Sequence, residues 1–144
     1  GMKLHIGVDS QLGMAHSAVV TAANVHDKHP LPDLLHGNET RVYGDSAYAS
    51  QKALIEGKAP KARDFTNQRT RQGGIVDEAV KAKNRNKSRI RSRVEHVFGV
   101  LKRLWGFGKV RYRGLAKNAT RAFTALALAN IYLGRQRLMA QVRL

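Results

Sequence analysis

The chain has 144 residues, the length of one ordinary domain and enough to bury a core without covalent staples. It contains no cysteine, which excludes disulfide scaffolds, thiol catalysis and zinc held by thiolates. Its 26 basic and 10 acidic side chains give a net charge of +16, so a polyanionic partner is expected, nucleic acid first among them.

That charge is segregated. Residues 1–57 carry four basic side chains against six acids, whereas residues 58–144 carry the remaining 22 against four. Carboxylates set apart from a basic half suit a protein that holds metal ions against a phosphate backbone. No apolar run approaches the roughly 20 residues of a membrane span. No charged n-region leads into an apolar stretch at the start. A soluble intracellular protein is expected.

Residues 3–9, Lys-Leu-His-Ile-Gly-Val-Asp, alternate apolar and other types with a period of two, which predicts a strand. Ser10 to Gly13 offers a turn, and 14–22 is rich in small and β-branched residues, so a hairpin is predicted. After a loop from Asn24, Pro30 or Pro32 opens a short helix through Leu31, Leu34 and Leu35, stopped by Gly37. Arg41 to Gly44 reads as a short buried strand ending at Asp45. Ser50 is the expected cap of a helix over Ala53, Leu54 and Ile55, with Gly57 at its end.

From Lys58 to Gly74 the composition is that of a basic loop, with room for a short strand near Phe65. A helical pattern begins near Ile75 and is strong from Ile90 to Leu104. A last helix is predicted over about 118–133, capped by Asn118, burying Ala119, Ala122, Phe123, Leu126, Ala127, Asn130 and Leu133, and ended by Gly134. The chain is thus expected to be a single partial domain, sheet-rich over 1–57, looped over 58–74 and helical and basic over 75–144. Its predicted class is α/β.

Two acids are placed for chemistry. Asp45 follows a short apolar strand, and ligands of open α/β sheets bind beyond such strand ends. It also suits a plain turn. On a helix at about 100° per residue, Arg91, Glu95 and Lys102 fall in one stripe about 40° wide, bordering the face of Val94, Val97, Phe98, Leu101 and Leu104. An Arg91–Glu95 pair on a solvated face has the same spacing. The histidines, including His26, His29 and His96, show no metal-ligand spacing, and no phosphate-binding glycine motif is present. From Leu104 to Arg113 aromatic and basic residues interleave, a pattern that grips bases and phosphates. Trp105 and Phe107 fit a core equally well.

These residues carry a resemblance. Lys3 to Asp9, Thr21 to Asp27, Tyr43-Gly44-Asp45-Ser46-Ala47-Tyr48 and Arg91-x3-Glu95-x6-Lys102 resemble the C-terminal part of the catalytic domain of bacterial DDE-type insertion-sequence transposases. The resemblance implies a ribonuclease H-like mixed sheet with flanking helices, and DNA transposition by cutting and joining phosphodiesters at a two-metal site. It implies Asp45 and Glu95 as catalytic, metal-holding carboxylates for Mg²⁺ or Mn²⁺. Arg91 and Lys102 would contact DNA phosphates, and Lys109, Arg111 and Arg113 are further candidates. Ser88 stands where that family usually has a Tyr. The first, central strand and its catalytic Asp are expected to lie outside this chain, and Asp9 does not match that motif. A two-metal site is therefore expected only if a third carboxylate is supplied, including by another polypeptide. Open strand edges would favour a homo-oligomer. DNA as partner implies a cytoplasmic, nucleoid-associated location with no membrane. The alternative is a non-catalytic basic nucleic-acid-binding protein, such as a transposition inhibitor from a truncated element.

Overall fold

Alternation along the first strand has the expected result. In the computed structural model, which describes residues 1–142, β1 (Met2–Val8) and β2 (Ala15–Ala22) pair antiparallel, with Leu4 opposite Val20 and Ile6 opposite Ala18. The connection is closed by Asp9, whose carboxylate accepts from the Leu12 and Gln11 amides at 2.6 and 2.8 Å. Gly13 then turns the chain at φ +71°, a left-handed conformation that glycine adopts without a Cβ penalty.

The chain continues through α1 (Leu31–Leu34), β3 (Arg41–Val42), a single 3₁₀ turn (Ser46–Tyr48) and α2 (Lys52–Lys58). Three short strands follow: β4 (Arg63–Asp64), β5 (Arg71–Gln72) and β6 (Ile75–Val76). Two long helices, α3 (Glu78–Trp105) and α4 (Leu115–Val142), complete a mixed α/β chain. The strands pair two by two: β1 with β2, β3 with β4 in parallel, and β5 with β6 across Gly73-Gly74.

The residues divide into two compact units, Gly1–Val25 with Arg93–Leu144, and His26–Ser92. In the first, Ile6 from the hairpin meets Val97, Val100 and Leu101 of α3 and Ala125, Leu126 and Ala129 of α4. Val97, Leu101 and Ala129 are fully buried. Small residues on α4 let its backbone approach its neighbours closely. Asn130 fastens the packing, since its amide accepts from Ala15 N at 2.9 Å and donates to Ala15 O at 2.7 Å. In the second unit the core is Leu31, Leu35, Val42 and Ile55.

Four local expectations are corrected. Ser50 does not cap α2: Gln51 holds the cap position without a side-chain bond to the helix, and its own amide donates to the Ser50 hydroxyl at 2.9 Å. Gly57 lies inside α2, which ends at buried Ala59, just before Pro60. Asn118 lies inside α4, not at its start: its side chain binds both backbone groups of Tyr112 and the Gly114 carbonyl. Gly134 is buried within α4 rather than ending it, and the space where its Cβ would stand holds the end of Met14. The buried faces shift as well. Phe123 and Ala127 are exposed while Ala125 and Ala129 are buried, and Leu104 is 51% exposed in the last turn of α3.

Candidate functional site

The parallel pairing of β3 and β4 sets the first acid. Phe65 N donates to Val42 O at 2.8 Å and Asn67 N to Gly44 O at 2.9 Å, carrying the pairing past the strands as far as Gly44, next to Asp45. Gly44 suits this crowded place: a Cβ there would stand 3.0 Å from the Tyr48 ring and 3.3 Å from Thr66 Cγ2. Asp45 is exposed, and its Oδ1 accepts from Ala47 N at 2.9 Å, capping the 3₁₀ turn. The expected buried strand over Arg41 to Gly44 is shorter than predicted, since β3 covers only Arg41–Val42 and Arg41 is exposed, so Asp45 follows it by three residues and serves as the cap of the turn.

Tyr48 packs against the Leu31–Ile55 core from the other end of that turn. Burial, followed by the charges of Asp27 and Asp45, raises its phenol to about 12. It remains a hydrogen-bond donor at neutral pH. A cavity of about 810 Å³ opens beside the turn, lined among others by Ser46, Ser50, Gln68, Arg69, Thr70 and Asp77.

The second acid lies on α3. That helix is unbroken from Glu78 to Trp105, so Arg91, Glu95 and Lys102 keep their common stripe. Arg91 is half-buried, and Glu95 and Lys102 are exposed. Asp77 caps the helix start, accepting from Ala79 N at 2.9 Å and Val80 N at 3.1 Å. Ser88 accepts from the Asn67 amide at 2.9 Å, Lys87 Nζ donates to Thr66 O at 2.9 Å, and Asn84 pairs with the Gln68 backbone through both its amide atoms. These ties fix the stretch after β4 on the first half of α3.

Lys109, Arg111 and Arg113 are exposed on the connection between α3 and α4. Trp105 and Phe107 pack against the core of their unit, Trp105 meeting Tyr132 edge-on at 6.3 Å between ring centres. Arg121 braces this connection. Its guanidinium lies 4.8 Å above the Phe107 ring and donates to Lys109 O at 2.9 Å and Gly106 O at 3.3 Å. Nothing local in the sequence marks it, because its partners lie 12 and 15 residues earlier.

Asp45 belongs to the His26–Ser92 unit and Glu95 to the other. Among the described residues, no three His, Asp or Glu side chains gather into a group able to hold a metal ion. No helix among the described residues is long and apolar enough to cross a membrane.

Compared with known proteins, residues 1–131 match the family described as the transposase DDE domain. No solved structure matches the chain.

Proposed function

The chain belongs to the transposase DDE-domain family, and from that premise we propose that it is a DNA-binding part of a transposase whose own acids form an incomplete catalytic set. The observation that carries this is the unbroken α3, which holds Glu95 between Arg91 and Lys102 on one stripe and leads into Lys109, Arg111 and Arg113. Such cations grip phosphates without reading sequence. Hairpin β1–β2 and the parallel pair β3–β4 support a ribonuclease H-like arrangement. Asp45 and Glu95 are the proposed catalytic carboxylates, and cleavage belongs to an assembly in which a third acid joins them around Mg²⁺ or Mn²⁺. DNA as partner favours a nucleoid-associated place in a bacterial cell.

A second reading, carried by the exposed Lys109, Arg111 and Arg113 alone, is a non-catalytic DNA-binding protein. Duplex binding measured against salt, with nicking of supercoiled DNA in Mg²⁺ or Mn²⁺, tests both. Binding should fall steeply with salt, and alanine at Lys109, Arg111 or Arg113 should each lower the logarithmic salt slope by about one. Nicking abolished by Glu95→Gln supports the transposase reading. Salt-sensitive binding with no nicking, even after a polypeptide that supplies the third acid is added, supports the second, and the absence of duplex binding overturns both.

A further inference from the structure

The first unit, Gly1–Val25 with Arg93–Leu144, contains a groove of about 370 Å³, within the ~300–1,000 Å³ of small-molecule pockets. Its apolar lining comes from Leu4 and Val20 of the hairpin, Phe98 of α3, and Phe107 and Val110 beyond it. Four cations share that lining: Lys3, Lys102, Lys109 and Arg121. Among the described residues, no aspartate or glutamate lines it.

This combination selects its occupant. An apolar ligand would leave the exposed ammonium groups of Lys102 and Lys109 beside it without an anion. A duplex presents phosphates but keeps its base faces stacked inside. An unpaired nucleotide offers both, a flat apolar base and anionic phosphates on either side. The wall is also braced. Arg121 holds the carbonyls of Gly106 and Lys109 while its guanidinium covers Phe107, so the loop does not have to be ordered by the ligand. Lys102 and Lys109 are exposed. Val110, 53% exposed, is an apolar side chain turned to solvent beside them.

We propose that this groove receives the base of an unpaired nucleotide in single-stranded DNA, with Lys102 and Lys109 holding the adjacent phosphates. The proposal rests on the DNA-binding reading above and adds to it a preference for an unpaired base.

Fluorescence anisotropy of the full chain tests it with three probes: oligothymidine of about ten nucleotides, an abasic strand of equal length and charge, and a duplex. Two variants each lower the net charge by one unit. Val110→Glu places an acid in the groove, and Lys83→Ala changes an exposed lysine early in α3 that does not line it. Oligothymidine should bind roughly ten-fold more tightly than the abasic strand, as stacking of a base predicts. Val110→Glu should remove that ratio, while Lys83→Ala should leave it intact. Photo-crosslinking from a 5-iodouracil strand should map to the peptide that carries Phe107. Equal binding of oligothymidine and the abasic strand, or an unchanged ratio in Val110→Glu, overturns the inference while duplex binding leaves the DNA-binding reading standing. If no DNA binds at all, both fall.

Discussion

At the residue scale, hydrogen bonds to backbone set the behaviour of two acids. The Leu12 amide lowers Asp9 below the usual carboxylate value, overcoming partial burial, with help from the Gln11 amide and the charges of His16 and Arg137. A carboxylate depressed on folding stabilises the native state above its unfolded value of 3.8 and loses that contribution as pH falls through the lowered one. Asp9→Asn should therefore destabilise the protein at neutral pH by up to about 1 kcal/mol, small because the turn is largely solvated. Urea midpoints should converge with the parent as pH drops below 3.8. Glu39 is shifted the same way. Burial alone would raise it, but the amides of His36 and Gly37 at 2.6 and 2.8 Å, aided by His36 nearby, bring it down. Tyr48 runs in the opposite sense. Its folded form keeps the proton while an unfolded tyrosine has released it, so stability should fall as pH rises from 10.0 to about 12. An ultraviolet titration should contain a late-ionising step, and Tyr48→Phe should remove it.

At the element scale, the period-two run of β1 and the 3.6-residue stripe of α3 were legible because each depends on nearest neighbours along the chain. The ends of α2 and α4 were not. Ser50, Asn118 and Gly134 are residues whose local preference is to cap or stop a helix, yet each answers to a partner that sequence order does not reveal: Gln51 for Ser50, Tyr112 for Asn118, Met14 for Gly134. A glycine within a helix costs only about 1 kcal/mol relative to alanine, so packing can override it. The candidate site divides along the same line. The turn role of Asp45 and the helical register of Glu95 could be read from the local sequence, whereas Arg121, whose bonds span 12 and 15 residues, could not. Long-range ties such as Asn130 to Ala15 should carry measurable stability. Asn130→Ala would leave both backbone groups of Ala15 without that partner, and a loss of about 1–3 kcal/mol is expected in chemical denaturation. A change below a few tenths would mean water replaces the amide there.

At the scale of the whole molecule, charge and edges set how the chain meets other chains. The net +16 favours binding to polyanions and opposes self-contact at low salt. Among the described residues β1 pairs with β2 alone and β3 with β4 alone, so each pair has an edge open to a further strand. Once salt screens the repulsion, sedimentation at micromolar concentration should show association that grows with protein concentration. Monomer throughout would mean these edges are too short or too charged to pair. The divided first unit has a consequence in time. Its hairpin lies within Gly1–Val25 and its helical partners within Arg93–Leu144, with the 67 residues His26–Ser92 between them. At about 5–20 residues per second, the ribosome adds that stretch in roughly 3–13 s. By the end of that interval Leu4, Ile6 and Val8 have long been made and released from the synthesis site, while Val97, Leu101 and Leu126 do not yet exist. The newborn hairpin is thus an apolar ribbon awaiting its cover, and slowed translation of the middle segment would lengthen its exposure to aggregation.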